Sequence, residues 1–115
     1  MKDAVILVTS PGLGTTSADD ASFGEEMLDK FLHTLESQSD KPMAICFYTE
    51  GVKVVAAGGP LALGLKLLNK LGIRLVACGS CLDYYGVDDV LDCVQRGTMP
   101  EIVKLIAASS KTITV

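Results

Sequence analysis

The chain has a single histidine, no cluster of lysine or arginine, no long apolar run and no nucleotide-binding signature; each absence removes a class of function. His33, the lone histidine, falls in a helical segment nearly opposite its apolar arc, so solvent is its expected neighbour. That takes away the base on which Cys-His and Ser-His nucleophilic sites depend. Nucleic-acid binders neutralise phosphates with a basic patch. Here 10 Lys and Arg are scattered among 14 Asp and Glu, and the net charge is −4, so nucleic acid is not an expected partner.

The first apolar segment, Ala4 to Thr9, is too short for a signal-peptide core and far too short to cross a bilayer. No membrane partner is expected, and the expected compartment is the cytoplasm. In that reducing setting Cys46, Cys78, Cys81 and Cys93 stay thiols unless they are catalytic, redox-active or metal-bound. Zinc requires four ligands. Beyond Cys78 and Cys81 only the scattered Cys46 and Cys93 remain, so no metal site is expected. The loop Ser10-Pro11-Gly12-Leu13-Gly14 has Ser17 where a dinucleotide fingerprint requires its third glycine, and no Gly-Lys-Ser/Thr follows. No cofactor is expected either.

What is present has the usual balance of a globular domain, with 49% hydrophobic and 21% charged residues, enough for one core spanning residues 1–115. Ala4 to Thr9, Met43 to Tyr48 and Ile73 to Cys78 read as strands buried on both faces. Lys111 to Val115 reads as a closing strand. From Ala21 to about Ser37 the period turns helical, with Met27, Leu28, Phe31, Leu32 and Leu35 on one arc and Asp19 or Asp20 as cap. Gly51 to Ala57 reads equally as a short strand or as helical turns.

Pro60 suits the first turn of a helix running to Leu71, which Gly72 ends. Its leucines, Leu61, Leu63, Leu65, Leu67, Leu68 and Leu71, sweep an arc wider than docking on one sheet requires. A second buried contact, with another subunit, is the expected use of the surplus. Arg96-Gly97 reads as a linker. A last helix, Met99 to Ala108, is expected to bury Ile102, Val103 and Ile106. Strands alternating with helices predict an α/β fold, a three-layer α/β/α sandwich around a mostly parallel sheet.

Ligands of such sheets collect at the carboxyl ends of the strands. Three loops lie on that rim: Ser10 to Asp20, Thr49 to Lys53 and Cys78 to Gly86. Cys78-Gly79-Ser80-Cys81 is the strongest chemical signal among them. Its spacing brings two sulfurs near each other, and a helix starting there is expected to favour a thiolate at Cys81. The spacing also leaves dithiol chemistry open. Cys46, inside a strand, reads as an inert buried hydrophobe. The rim positions expected to line the site are Gly12 and Gly14, Glu50, Gly51 and Lys53, and Gly79 and Ser80 between the cysteines.

In order and spacing, LVTSPGLG, FGEEMLDKFLHTL, FYTEGVKV, LVACGSCLDYYGV and MPEIVKLIAASSKTITV resemble the DsrE/DsrF-like superfamily. Within it they are most similar to the YedF-like branch, which is associated with selenium metabolism. The resemblance implies a flavodoxin-like sandwich that forms homo-oligomers, with a site cysteine directly after the third strand. It carries that role to Cys78, or to Cys81 as the second cysteine of the CGxC motif. The implied function is that of a sulfur or selenium carrier, or sulfurtransferase, which takes a sulfane atom from a donor protein and passes it to an acceptor thiol. The implied partners include a TusA-like protein, here a separate chain if it is used at all. The competing reading is a small-ligand or protein-binding oligomeric module in which the cysteines are incidental. Carrier chemistry predicts a depressed thiol pKa.

Overall fold

Uninterrupted apolar strands demand cover on both faces, and a parallel sheet flanked by crossover helices provides it. The computed structural model describes residues 1–115. It contains β1 (Ala4–Val8), β2 (Ala44–Phe47), β3 (Arg74–Cys78), β4 (Val94–Gly97) and β5 (Lys111–Thr114). Their order is β4-β3-β2-β1-β5, and every neighbouring pair is parallel. This is a variant of the flavodoxin-like arrangement in which β5, rather than β2, takes the outer place beside β1.

The helices are α1 (Ala21–Leu35), α2 (Ala62–Lys70), α3 (Gly79–Tyr84) and α4 (Met99–Ala108), with a 3-10 helix at Thr49–Val55. β1 to β4 are laid down in one direction across the sheet, and β5 returns to its far side. Right-handed crossovers therefore put α1, α2 and α3 on one face and α4 on the other.

Alternate residues of each strand separate the two cores. Ile6, Val8, Ile45, Phe47, Leu75 and Ala77 meet Leu28, Leu32 and Leu35 of α1 and Leu65 and Leu68 of α2. Val5, Leu7, Ala44, Cys46, Val76 and Cys78 meet α4 chiefly through Ile102. Each Val, Leu, Ile or Phe among them contributes roughly 1.5–3 kcal/mol on leaving water, so the first face, with the larger cluster, carries most of the hydrophobic stabilisation. Thr98 caps α4 by accepting a hydrogen bond from the Glu101 amide.

Several expectations are corrected. Thr49–Val55 is helical, which resolves the ambiguity at Gly51 to Ala57, although Ala56 makes a lone antiparallel bridge to Val90. Arg96-Gly97 is not a linker but the end of β4. That edge strand buries only Val94 and Gly97 and exposes Gln95 and Arg96, so it carries no strand-like apolar run. Val103 is 54% exposed, because a helix alone on its face turns only one stripe toward the sheet.

α2 begins at Ala62 rather than Pro60, since a turn closed by the Ala62 amide on the Gly59 carbonyl precedes it. Asp20 holds the cap position of α1 without capping; its carboxylate instead accepts a hydrogen bond from the Ser17 hydroxyl. Leu61, Leu65 and Leu68 are buried, whereas Leu63, Leu67 and Leu71 form a stripe on the outer side of α2. Gly72 ends that helix with φ +97°, a left-handed conformation natural to glycine.

Candidate functional site

The rim at the carboxyl ends of β1, β2 and β3 is assembled around one sulfur. β3 runs out at Cys78, whose extended backbone forms the cap position of α3. Cys78 is 4% exposed and belongs to the core on the α4 side. Cys81, the third residue of α3, is half-buried and packs against both cores. Side chains at the cap and third positions of a helix face one another, the geometry of a capping box. The two thiols are close enough for Cys78 to influence the titration of Cys81.

Thr49 supplies the second wall. Its φ is +48°, in the left-handed region that β-branched residues avoid. Such a conformation costs on the order of 1–3 kcal/mol and persists only where surrounding contacts enforce it. Those contacts are visible. The Thr49 amide donates to Cys81 Sγ at 3.1 Å, and its hydroxyl lies 3.0 Å from the Thr9 carbonyl oxygen and 2.7 Å from that of Tyr48. One residue thus ties together the ends of β1, β2 and β3. Beneath it, a Cβ on Gly51 would stand 2.0 Å from the Val8 carbonyl oxygen, so only glycine lets the 3-10 helix lie this close to β1.

The other rim candidates divide. Lys53 pairs with Glu50 at 3.4 Å and lies 4.8 Å from the centroid of the Tyr85 ring, at the end of the helix that carries Cys81. Gly79 is buried under the Arg96 guanidinium, which donates to the Gly79 carbonyl at 3.1 Å and to the Asp83 carboxylate at 2.7 Å. Ser80 is exposed on the outer side of the same turn. Gly12 and Gly14 do not join the cysteines. They line a cleft of about 370 Å³ together with Thr9, Glu25 and Glu50. A neighbouring cleft of about 440 Å³ is lined by Pro11, Glu25, Asp29, Lys53 and Leu61, and no cysteine lines either one.

The expected thiolate at Cys81 is corrected as well. Burial raises this thiol above its ordinary range, the neighbouring Cys78 acts in the same direction, and the Thr49 amide opposes them. α3 has six residues, too few for a developed dipole to reverse the balance. The balance holds Cys81 toward its neutral thiol, with one amide directed at its sulfur. Cys46 is fully buried, and desolvation pushes its thiol up to about 11 against the pull of Arg74, as befits an inert core residue. His33 is exposed on α1, its ring 2.9 Å from Glu36 and 3.5 Å from Asp29. No three His, Cys, Asp or Glu side chains converge to hold a metal ion.

Thr49 and Arg96 are the site residues that sequence reading missed. A threonine in a loop carries no mark of a left-handed backbone. Arg96 was concealed because the strand bearing it was unrecognised.

The DsrE/DsrF-like family profile matches residues 2–115. Among solved structures, the chain is similar to the YchN protein of E. coli, with TM-score 0.73, 19% identity and 100% of each chain covered. It is also similar to MTH1491, a protein of unknown function from Methanobacterium thermoautotrophicum, with TM-score 0.70, 19% identity and 97% of each chain covered. BT1422 of Bacteroides thetaiotaomicron, another protein of unknown function, aligns with TM-score 0.60 and 21% identity, over 98% of this chain and 95% of that one. No curated protein matches significantly.

Proposed function

We propose that this chain, which belongs to the DsrE/DsrF-like family, is a sulfur carrier that accepts a sulfane atom on Cys81. One observation carries the reading: a half-buried thiol at the carboxyl rim of a parallel sheet, with the amide of a strained residue aimed at its sulfur. Strain of this kind gathers at functional sites. Cys78 is too buried to meet a visiting protein, so Cys81 is the acceptor of the two.

The transfer balances. Cys81, as thiolate, attacks the terminal sulfur of a donor persulfide; the donor thiolate leaves and takes up the proton that Cys81 released. The Cys81 thiol is raised, against the depressed pKa expected of a carrier, so this reading requires the docked donor to assist deprotonation, with the Thr49 amide receiving the developing charge on Sγ. An acceptor thiol then removes the outer sulfur. A selenium atom can travel by the same steps. The proposed partners are donor and acceptor proteins, a separate TusA-like chain among them. The outer stripe of α2, Leu63, Leu67 and Leu71, supports association of copies of this chain.

The test uses the Cys78→Ser variant, reduced and treated with glutathione persulfide, followed by intact-mass and peptide analysis. We expect one added sulfur on Cys81, and none when Cys81→Ser is combined with it. Equal label on that double variant overturns the reading. The two clefts beside the β1–α1 loop favour a second reading, a ligand- or protein-binding module with incidental cysteines; it predicts no label on Cys78→Ser.

A further inference from the structure

The two cysteines of the rim stand in unequal positions, and the inequality has a chemical consequence. Cys81 meets solvent at the mouth of the site, whereas Cys78 is 4% exposed at the base of the same turn, among Val5, Leu7, Cys46 and Val76. No external thiol or persulfide reaches Cys78. The thiol it does reach is Cys81, three residues on, where the start of α3 turns both side chains to the same side. A disulfide needs Cβ atoms about 3.5–4.5 Å apart; Cys78 lies just outside the helix with extended backbone, φ −63° and ψ 119°, so the pair is not held at the wider spacing of two helical residues.

From this placement we infer that Cys78 is a resolving thiol that discharges a sulfur loaded on Cys81 as sulfide and closes a Cys78–Cys81 disulfide. The inference rests on the carrier reading. In a Cys81 persulfide the outer sulfur projects toward the mouth and the inner Sγ stays at the Thr49 amide, so the Cys78 thiolate approaches the inner atom from below. The new bond joins Cys78 Sγ to Cys81 Sγ, and the bond from Cys81 Sγ to the outer sulfur breaks. Hydrosulfide leaves with the electron pair and takes the proton that Cys78 gives up. The sulfane sulfur is reduced by two electrons while the two thiols are oxidised by two, so no outside oxidant takes part. A dithiol reductant then restores the pair.

Held in one turn, Cys78 competes as an intramolecular nucleophile against any acceptor that has to diffuse in. A carrier built this way hands its sulfur to an acceptor already docked, and otherwise releases it as sulfide.

The experiment treats the fully reduced full-length chain with one equivalent of glutathione persulfide without oxygen, desalts it, and follows sulfide release and intact mass. For the wild type we expect one sulfide per chain and a product lighter than the dithiol by its two thiol hydrogens, with a Cys78–Cys81 disulfide that dithiothreitol reopens. In Cys78→Ser and Cys78→Ala we expect the added sulfur to stay on Cys81 at least about tenfold longer. Two variants guard against a folding defect in either. A wild type that keeps its sulfur as long as the variants, or variants that release sulfide as fast as the wild type, overturns the inference and leaves the carrier reading standing. Variants that take up no sulfur at all overturn both.

Discussion

Replacing Gly51 by alanine puts a methyl carbon 2.0 Å from the Val8 carbonyl oxygen and 2.6 Å from its carbon. Both neighbours are backbone, so no side chain can swing aside. The 3-10 helix has to move about 1 Å from β1 before the contact reaches 3.0 Å. The oxygen in question already accepts the Tyr48 amide at 3.2 Å, so the same movement stretches that bond. Overpacking against a fixed wall costs about 1–3 kcal/mol, and a weakened buried hydrogen bond adds about 1 kcal/mol. We therefore expect a loss of roughly 2–4 kcal/mol, or about 8–16 °C in Tm for a chain of this size. Chemical and thermal unfolding followed by circular dichroism measure it. Gly58→Ala is the internal control. Its Cβ meets nothing within 4 Å and its φ is not left-handed, so it should leave stability unchanged or raise it by up to about 1 kcal/mol. Gly51→Ala within about 0.5 kcal/mol of wild type refutes the argument that this close approach fixes the position of Thr49.

Two further outcomes test other parts of the structure. Folding holds the Cys46 thiol neutral up to about 11, whereas the unfolded chain ionises it near 9.0. Its contribution is thus complete below the lower value and is lost as pH rises through the higher one. Wild type should lose about 2–3 kcal/mol more than Cys46→Ala between those pH values in urea titrations, and parallel curves refute it. Ile102 is fully buried and is the main anchor of α4 on its face. Ile102→Ala should cost about 2–5 kcal/mol in the same assay, while Val103→Ala, at an exposed position, should stay within about 0.5 kcal/mol; similar losses for the two contradict the described seating of α4.

Much of the architecture is legible because the signals are local. A β-branched run such as Ala4–Val8 reads as a covered strand without knowledge of its neighbours. The 3.6-residue period marks α1, and the amphipathic pattern of Met99 to Ala108 marks α4. β4 escapes that logic: as an edge strand it pairs through its backbone while Gln95 and Arg96, on opposite faces, are polar and exposed. Val103 misled for the opposite reason, since an apolar residue on a helix need not face the side that is covered.

The chain's order of residues by itself determined that a buried strand ends in Cys78-Gly79-Ser80-Cys81 and that this turn lies on the carboxyl-end rim of a parallel α/β sheet. Both follow from periodicity and topology, which depend on near neighbours and on the hand of the crossovers. Which sulfur faces outward, and what touches it, was decided only in three dimensions. The amide aimed at Cys81 belongs to a residue 32 positions earlier, in a backbone conformation that threonine does not choose unaided. Strain and burial come from elements that meet only after folding, so no local pattern encodes them.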